Sequence, residues 1–439
     1  MSIRHLFLYG GLAALSASPW ALAADTAGPA AAPSSLASVP AASVLSLQQV
    51  LQAARQSPDV LAAQRALNAA RADVRSADRA PAPTLSAGVS SIDLQNGVGG
   101  GSFWTQKRLD KSLGLDWTWE RGNKRALRTE AAERNAKAAQ ADSQDSLLMQ
   151  QIGAQAAFYD LLAAQQRLQA VQAIGQSAAQ LAHSAQLRLK AGDLSAQDAA
   201  RTQIEAERAR ADEQSAALDR QQAAWALSQW TGLPVPAGGW QAQGEWPQSA
   251  PDTVQADALV DALIEQRPDV IAARERVAAA QANLQSALAL RKADPSVGTS
   301  FDHFPGTSTR LLALRISVPL NGWERFEGEI GRAQAIAEQS QDLLQKTLLQ
   351  ARADLSALVQ AWQTSARRLK IFEDNILPQA TRVAAQAETA YSKGGLPLTD
   401  LLDARRTLKT TQLEALAVRN EHAKALGAWQ LRSAAAGAR

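Results

Sequence analysis

Ser112-Leu113-Gly114-Leu115-Asp116-Trp117-Thr118-Trp119-Glu120, then the breaker Arg121-Gly122-Asn123, then a proline-free run to Leu189: this stretch decides how the chain folds. In its first part Leu113, Leu115, Trp117 and Trp119 fall on one face, with Ser, Gly, Asp, Thr and Glu on the other. A period of two marks a strand with one apolar side. After the breaker the period changes. Leu147, Ala154, Leu161 and Leu168 stand one heptad apart in a run rich in Ala, Gln, Leu, Arg and Glu. At about 1.5 Å per residue this predicts a helix on the order of 100 Å long. No ordinary globular core conceals a helix of that length.

The composition agrees. Of 439 residues only 5% are aromatic, and abundant Ala and Gln point to long packed helices. The formal charge of +3 is no nucleic-acid footprint, so no nucleic-acid partner is expected. Cysteine is absent, which excludes a disulfide framework, a thiolate metal site, a thiol nucleophile and lipid attachment through an N-terminal cysteine.

Upstream, Met1 to Ala23 has a short basic region, an apolar run from Leu6 to about Ala17, and small residues before Ala24. These are the parts of a cleaved secretory signal peptide, and no later segment offers about 20 continuous apolar residues. Residues 24–43, rich in Ala, Pro and Ser, read as a flexible linker. A helical pattern runs from Val44 to Asp78 and stops at Pro81 and Pro83. Residues 84–95 alternate imperfectly, and with 112–120 they predict a hairpin across the glycine-rich loop 97–101. Downstream, Lys190-Ala191-Gly192-Asp193 stops the long helix, and Ser195 with Asp198 resembles a capping start for a returning helix that ends near Trp230.

The second half repeats the first. Pro268-Asp269-Val270 matches Pro58-Asp59-Val60 at an offset of 210, and Gly394, Leu396 and Asp400 match Gly192, Leu194 and Asp198 at an offset of 202. A second hairpin is expected at 296–304 and 309–320, followed after Asn321-Gly322 by a helix with Leu348, Leu355, Trp362, Leu369 and Ile376 one heptad apart. Pro378 should interrupt or kink it. The domain reading is thus a first repeat at 44–232, a linker at 233–251 and a second repeat at 252–436.

The fold class is therefore mainly α with a small β part, built from two tandem helix-strand-strand-helix-helix repeats. Four strands cannot close a membrane barrel, and open edges are not tolerated in lipid. Three copies pooling their strands would make twelve, with Leu113, Leu115, Trp117 and Trp119 towards lipid, Asp116, Thr118 and Glu120 towards a polar bore, and the helices continuing that bore as a coiled-coil tunnel.

With the duplicated unit, the Pro-Asp-Val segments and the Gly-x-Leu tips in place, the chain resembles the TolC family of outer-membrane efflux channels from about residue 44 to 436. The resemblance implies a homotrimer in the outer membrane of a Gram-negative bacterium, with a large periplasmic part, a periplasmic adaptor and an inner-membrane pump as partners. Glu120-Arg121-Gly122-Asn123-Lys124-Arg125 is similar to a Glu-x-Gly-Gly-Lys-Arg stretch of the heavy-metal branch, with Asn123 in place of the second glycine.

The resemblance also places the candidate sites. Asp400 and Asp403, one helical turn apart, match aspartates that line the periplasmic entrance, where three copies would form carboxylate rings suited to gathering cations. Asp198 matches Asp400, whereas Arg201 stands opposite Asp403 and is placed to pair with an aspartate at the entrance. The tips Gly192, Asp193, Leu194 and Ser195, and Gly394, Gly395, Leu396 and Pro397, resemble adaptor-docking turns. His183 and His422 read as helix-surface residues, and Trp225, Trp230, Trp362 and Trp429 as helix packing. No catalytic constellation, cofactor or resident metal site is expected. The expected function is a passive efflux conduit for small substrates, heavy-metal cations among them. The alternatives are the outer-membrane channel of a type I protein secretion system and a periplasmic coiled-coil structural protein.

Overall fold

The structure, a computed structural model, describes residues 43–103, 108–248, 256–320 and 325–437. The expected signal peptide, nearly all of the first linker and the Asn321-Gly322 break lie outside the described residues. The first repeat comprises α1 (Leu47–Ala54), α2 (Pro58–Ala77), β2 (Thr84–Ser90), β3 (Asp110–Thr118), α3 (Lys124–Lys190) and α4 (Ala196–Thr231). The second comprises α5 (Ala256–Gln266), α6 (Pro268–Ala289), β5 (Ser296–Phe304), β6 (Ser308–Ser317), α7 (Glu327–Ile371), a π-helical turn Phe372–Ile376, α8 (Leu377–Ser392) and α9 (Leu398–Gly437). Short strands β1 (Ser43–Ser46) and β4 (Trp240–Gln243) pair in parallel.

Several boundaries differ from expectation for local reasons. The helix expected across Val44–Asp78 is two, because extended Ser57 precedes Pro58 and caps the new helix by accepting from the Val60 N–H. β2 ends five residues short of 95, where Ser91 turns into the left-handed region at φ 61° and Asp93 accepts from the Gln95 and Asn96 N–H groups. The stretch read as an inter-repeat linker carries β4, which ties it back to the start of the first repeat. At Pro378 the α-helix is interrupted, as expected, without the chain leaving helical conformation. A π turn takes up the missing donor just before it, and the change of phase leaves Ile376, the last heptad position, exposed.

The four remaining strands form one antiparallel sheet in the order β2-β3-β5-β6. The two hairpins are joined edge to edge by β3 and β5, which pair from Lys111↔His303 to Thr118↔Ser296. One face carries Leu85, Leu113, Leu115, Trp117, Phe301, Leu312, Leu314 and Ile316, all exposed in the single chain. The opposite face carries small residues in register at its centre, Ser86 beside Gly114 beside Ser300, and Asp116 beside Gly298, with Arg315 on the far side of Gly298. A Cβ on Gly114 would meet the Ser86 hydroxyl at 2.7 Å, and one on Gly298 would collide with the Asp116 carboxylate. Neighbouring side chains are crowded together on the polar face, as on the concave side of a curved sheet.

The helices bury little per residue, and they do so with alanine. Alanines 131, 138, 141, 154, 157, 182 and 185 are buried along α3, which packs against α2, α4, α6 and α9. A small side chain lets helix axes approach closely along their whole length. Larger residues gather in three clusters, one near the helix tips around Leu398, Leu401 and Leu402 and two at matching places in the repeats. In the first repeat Phe158, Leu161 and Leu227 pack under β1 and β4; in the second Leu355, Val359, Trp362 and Trp429 pack against α5. Trp362 and Trp429 stack 5.8 Å apart, as expected of packing residues, while Trp225 is half exposed on α4. His422 is a second correction. It is wholly buried rather than on a helix surface, with Ser365 Oγ 3.4 Å from Nδ1, and burial holds its pKa below the ordinary histidine range.

Candidate functional site

Both helix tips are closed by the same backbone device. After α3, the Gly192 N–H bonds the Leu189 carbonyl and the Asp193 N–H bonds that of Arg188; after α8, Gly394 bonds Tyr391 and Gly395 bonds Ala390. These are paired Schellman bonds, and Gly192 and Gly394 carry φ of 80° and 76°. The Gly-x-Leu spacing therefore encodes a left-handed residue followed by an apolar anchor. Leu396 is half-buried against Leu398, Leu401 and Leu402, while Asp193, Ser195, Gly395 and Pro397 are exposed.

The returning helices start differently. Ser195 Oγ caps α4 by accepting from the Asp198 N–H at 3.0 Å and donates to the Asp198 carboxylate at 2.8 Å. Arg201 lies 3.6 Å from the same carboxylate, one turn on. At the other tip Pro397 stands where Ser195 would be, and its carbonyl takes the Asp400 N–H at 3.2 Å. Asp400 accepts from the Thr399 hydroxyl at 3.2 Å, and among the described residues neither Asp400 nor Asp403 has an ion-pair partner. Both line an open groove between α8 and α9, with Val383, Ala387 and Leu396 on its walls. The first tip therefore neutralises its own carboxylate within one helix turn, and the second presents two.

Just behind the tips, ion pairs that the heptad pattern did not reveal bind the four helices. Arg406 pairs with Glu205 and Lys409 with Asp212, joining α9 to α4, while Arg405 pairs with Glu388 of α8 at 2.8 Å. Arg188, at the end of α3, donates to the Tyr391 hydroxyl at 3.0 Å and lies over its ring. Every basic residue flanking Asp403 is thus engaged elsewhere, though the Arg406 charge still feels Asp403.

At the other end of α3, the hexapeptide Glu120–Arg125 joins sheet to tunnel. Glu120 binds Arg128 at 2.5 Å, Arg125 binds Asp78 at 3.0 Å, and buried Lys124 binds Asp294 at 2.7 Å. Asp294, at the foot of β5, also accepts from the Arg121 N–H at 2.8 Å. Asn123 holds φ 58°, a left-handed position that glycine adopts freely and asparagine tolerates, so its replacement of the second glycine keeps the turn. Three of the four charged side chains of this motif are spent on the joint itself.

Among the described residues no group of three or more His, Asp and Glu is disposed to hold a metal ion, and no helix is long and apolar enough to cross a membrane. The family model described as outer membrane efflux protein matches residues 50–233 and 259–436. A relative from Cupriavidus metallidurans, the cobalt-zinc-cadmium resistance protein CzcC, is 28% identical over 308 residues, covering 68% of this chain and 71% of its own. The pyoverdine export outer membrane protein OpmQ of Pseudomonas putida is 30% identical over 165 residues, 36% of this chain and 35% of its own. Among solved structures, the Campylobacter jejuni CmeC outer membrane channel superposes with a TM-score of 0.74 at 16% identity, over 89% of this chain and 86% of that one.

Proposed function

Because the chain belongs to the outer membrane efflux protein family, the TolC family that its repeats and tips resemble, we propose that three copies form a passive conduit through the outer membrane, fed by an inner-membrane pump through a periplasmic adaptor. One observation carries this reading: a four-stranded sheet with an apolar outer face, a small-residue inner face and two unpaired edges, β2 and β6. Three such sheets, paired edge to edge, close a barrel of twelve strands whose length of about nine residues suits a bilayer. Leu113, Leu115, Trp117 and Trp119 then meet lipid, and the two tryptophans sit at the periplasm-side interface.

The far ends of the helices form the entrance. Asp400 and Asp403 from three copies stack two carboxylate rings there, which favours cations, and the two glycine tips offer an exposed backbone turn for the adaptor. Heavy-metal cations are the proposed cargo, supported by the similarity to CzcC and by the acidic entrance. No step of bond chemistry is required of this chain, and its work is to guide and to exclude.

The test is growth of a strain lacking the gene on zinc, cobalt, cadmium, copper and silver, beside dyes, detergents and antibiotics. Hypersensitivity confined to the metals is expected. Hypersensitivity confined to organic compounds would overturn the cargo and keep the conduit.

A further inference from the structure

At the foot of the apolar face of the sheet two cavities meet. The upper, of about 670 Å³, is walled by Leu115, Trp117, Val297 and the turn Ala80-Pro81. The lower, of about 690 Å³, lies between the end of α2 and the start of α3, beside Arg121, Lys124, Glu130 and Glu133. Trp119, Glu120 and Arg125 line both, so the two are continuous. The upper cavity rests on β3 and β5, the central strands, and is therefore clear of the edges where copies would pair.

The charges left over here are ordered. Glu120, Lys124 and Arg125 are matched by Arg128, Asp294 and Asp78. Arg121, Glu130 and Glu133 are exposed, and among the described residues their side chains have no ion-pair or hydrogen-bond partner. The start of α3 adds to the positive side, with no acidic residue in its first turn and no side-chain cap from Asn123. Glu130 and Glu133 lie on one face of α3, about 7.5 Å and 12 Å of helix rise beyond Arg125. Along the outer wall the sequence is thus apolar surface, tryptophan, cation, then anion. An amphiphile that fits this order has an acyl chain, then a phosphate, then an ammonium group that can still donate hydrogen bonds.

We propose that this cradle binds an aminophospholipid of the phosphatidylethanolamine class from the periplasm-facing leaflet. Its acyl chain lies along Leu115, Trp117 and Val297, its phosphate meets Arg121 and the terminal guanidinium nitrogens of Arg125, whose Nε is the atom bonded to Asp78, and its ammonium meets Glu130 and Glu133. Anionic phosphatidylglycerol offers the two glutamates hydroxyls but no cation, and the methylated ammonium of phosphatidylcholine has no N–H to give them. The proposal rests on the membrane reading above and adds to it a headgroup preference at one place.

The full mature chain, extracted from the membrane and purified in detergent, is offered equal amounts of phosphatidylethanolamine, phosphatidylglycerol and phosphatidylcholine with the same acyl chains. Retained lipid is counted by native mass spectrometry. The expected result is retention of phosphatidylethanolamine about 5- to 10-fold above the other two, as charge-assisted hydrogen bonds to both ends of a headgroup imply. Glu130→Gln with Glu133→Gln should equalise the three lipids while phospholipid is still held, and Arg121→Gln with Arg125→Gln should lower all three. Equal retention of the three lipids by the unaltered chain, or a preference that survives both double variants, overturns the site. A chain absent from the outer-membrane fraction overturns the membrane reading and the site with it, whereas a chain in that fraction with no headgroup preference overturns the site alone.

Discussion

The two repeats start α2 and α6 from the same tripeptide and hold it in different ways. In the first, Ser57 is a buried cap whose hydroxyl accepts from Val60, while Asp59 is exposed. In the second, Arg267 takes the cap position with 8% of its side chain exposed, and makes two hydrogen bonds of 2.9 Å and 2.6 Å to Asp269. It reaches further, to the Ala351 carbonyl and to 3.6 Å from Asp354 of α7. Asp145 of α3 and Arg432 of α9 lie in the same electrostatic environment. A local hydrogen bond in one repeat has become, in the other, a charged node shared by four helices. Duplicated sequence fixes the course of the backbone, and single positions then decide how widely each copy is coupled to the rest.

That difference is broken most severely by Arg267→Ala. Removing the guanidinium strands Asp269 among helices with only part of its carboxylate in water, and the expected loss is about 2–4 kcal/mol, somewhat less than for a fully buried pair. Ser57→Ala removes one cap and should cost about 1 kcal/mol. Thermal unfolding of the two variants side by side checks the ratio. Equal losses would mean that the charged node contributes no more than a hydroxyl.

The same node should give the protein an acid limb. Burial raises the Asp269 carboxyl, but the hydrogen bonds and charge of Arg267 and the bond from the Val270 N–H outweigh it and leave the pKa below the ordinary aspartate value. A pKa lower in the folded than in the unfolded chain stabilises at pH above the unfolded value, about 4, and that contribution is lost as pH falls through the folded value. Asp145 has the opposite sign. Burial, then the Asp269 charge, raise its pKa, so its ionisation opposes folding as pH rises through the carboxylate range. Unfolding midpoints measured against pH should show a shallower acid limb in Asp269→Asn than in the unaltered chain. A limb unchanged by this substitution would place the acid sensitivity elsewhere.

How much of this was legible depended on whether the cause was local. The strands could be read because a buried-free apolar face and a small polar face leave a period of two, and the tips because Gly192 and Gly394 are required by positive φ. Four-residue β1 and β4 could not, since neither alternates cleanly and their pairing joins positions nearly 200 residues apart. The break at Pro58 was hidden by alanines that keep the helical pattern running through it. Its signal, Ser-Pro-Asp, was present in the residues. The burial of His422 and the reach of Arg267 to Ala351 and Asp354 arise only when distant helices are brought together. Asp400 and Asp403 were legible as a pair, and so was an aspartate partner for Arg201, whereas the geometry was needed to show that this partner is Asp198 of its own helix.

At the proposed entrance the comparison between repeats turns on charge. Neutralising Asp400 and Asp403 together should lower cation preference several-fold in bilayer recordings, since both rings of the proposed trimer go at once. Asp198→Asn should change it little, because that carboxylate is already matched by Arg201 and held by Ser195. Reversal potentials in a salt gradient separate the two results. A larger effect from Asp198 would place the selective ring on the other repeat.

The smallest effect should come from making the first tip resemble the second. Arg201→Asp removes the cation beside Asp198 and sets two carboxylates on α4 where Asp400 and Asp403 stand on α9. The exchange is on an exposed helix face, so folding should be little affected. The new carboxylates stand on an exposed helix face, where water and salt screen their pull on a passing ion. Cation preference should therefore rise by no more than about twofold. The gain should fade as salt is increased, because a screened exposed ring acts over a Debye length of only about 10 Å at 0.1 M. A rise that persists in high salt would show that Asp198 and the new aspartate face a constriction rather than open solution, and the first repeat would then line the narrowest part of the entrance as closely as the second.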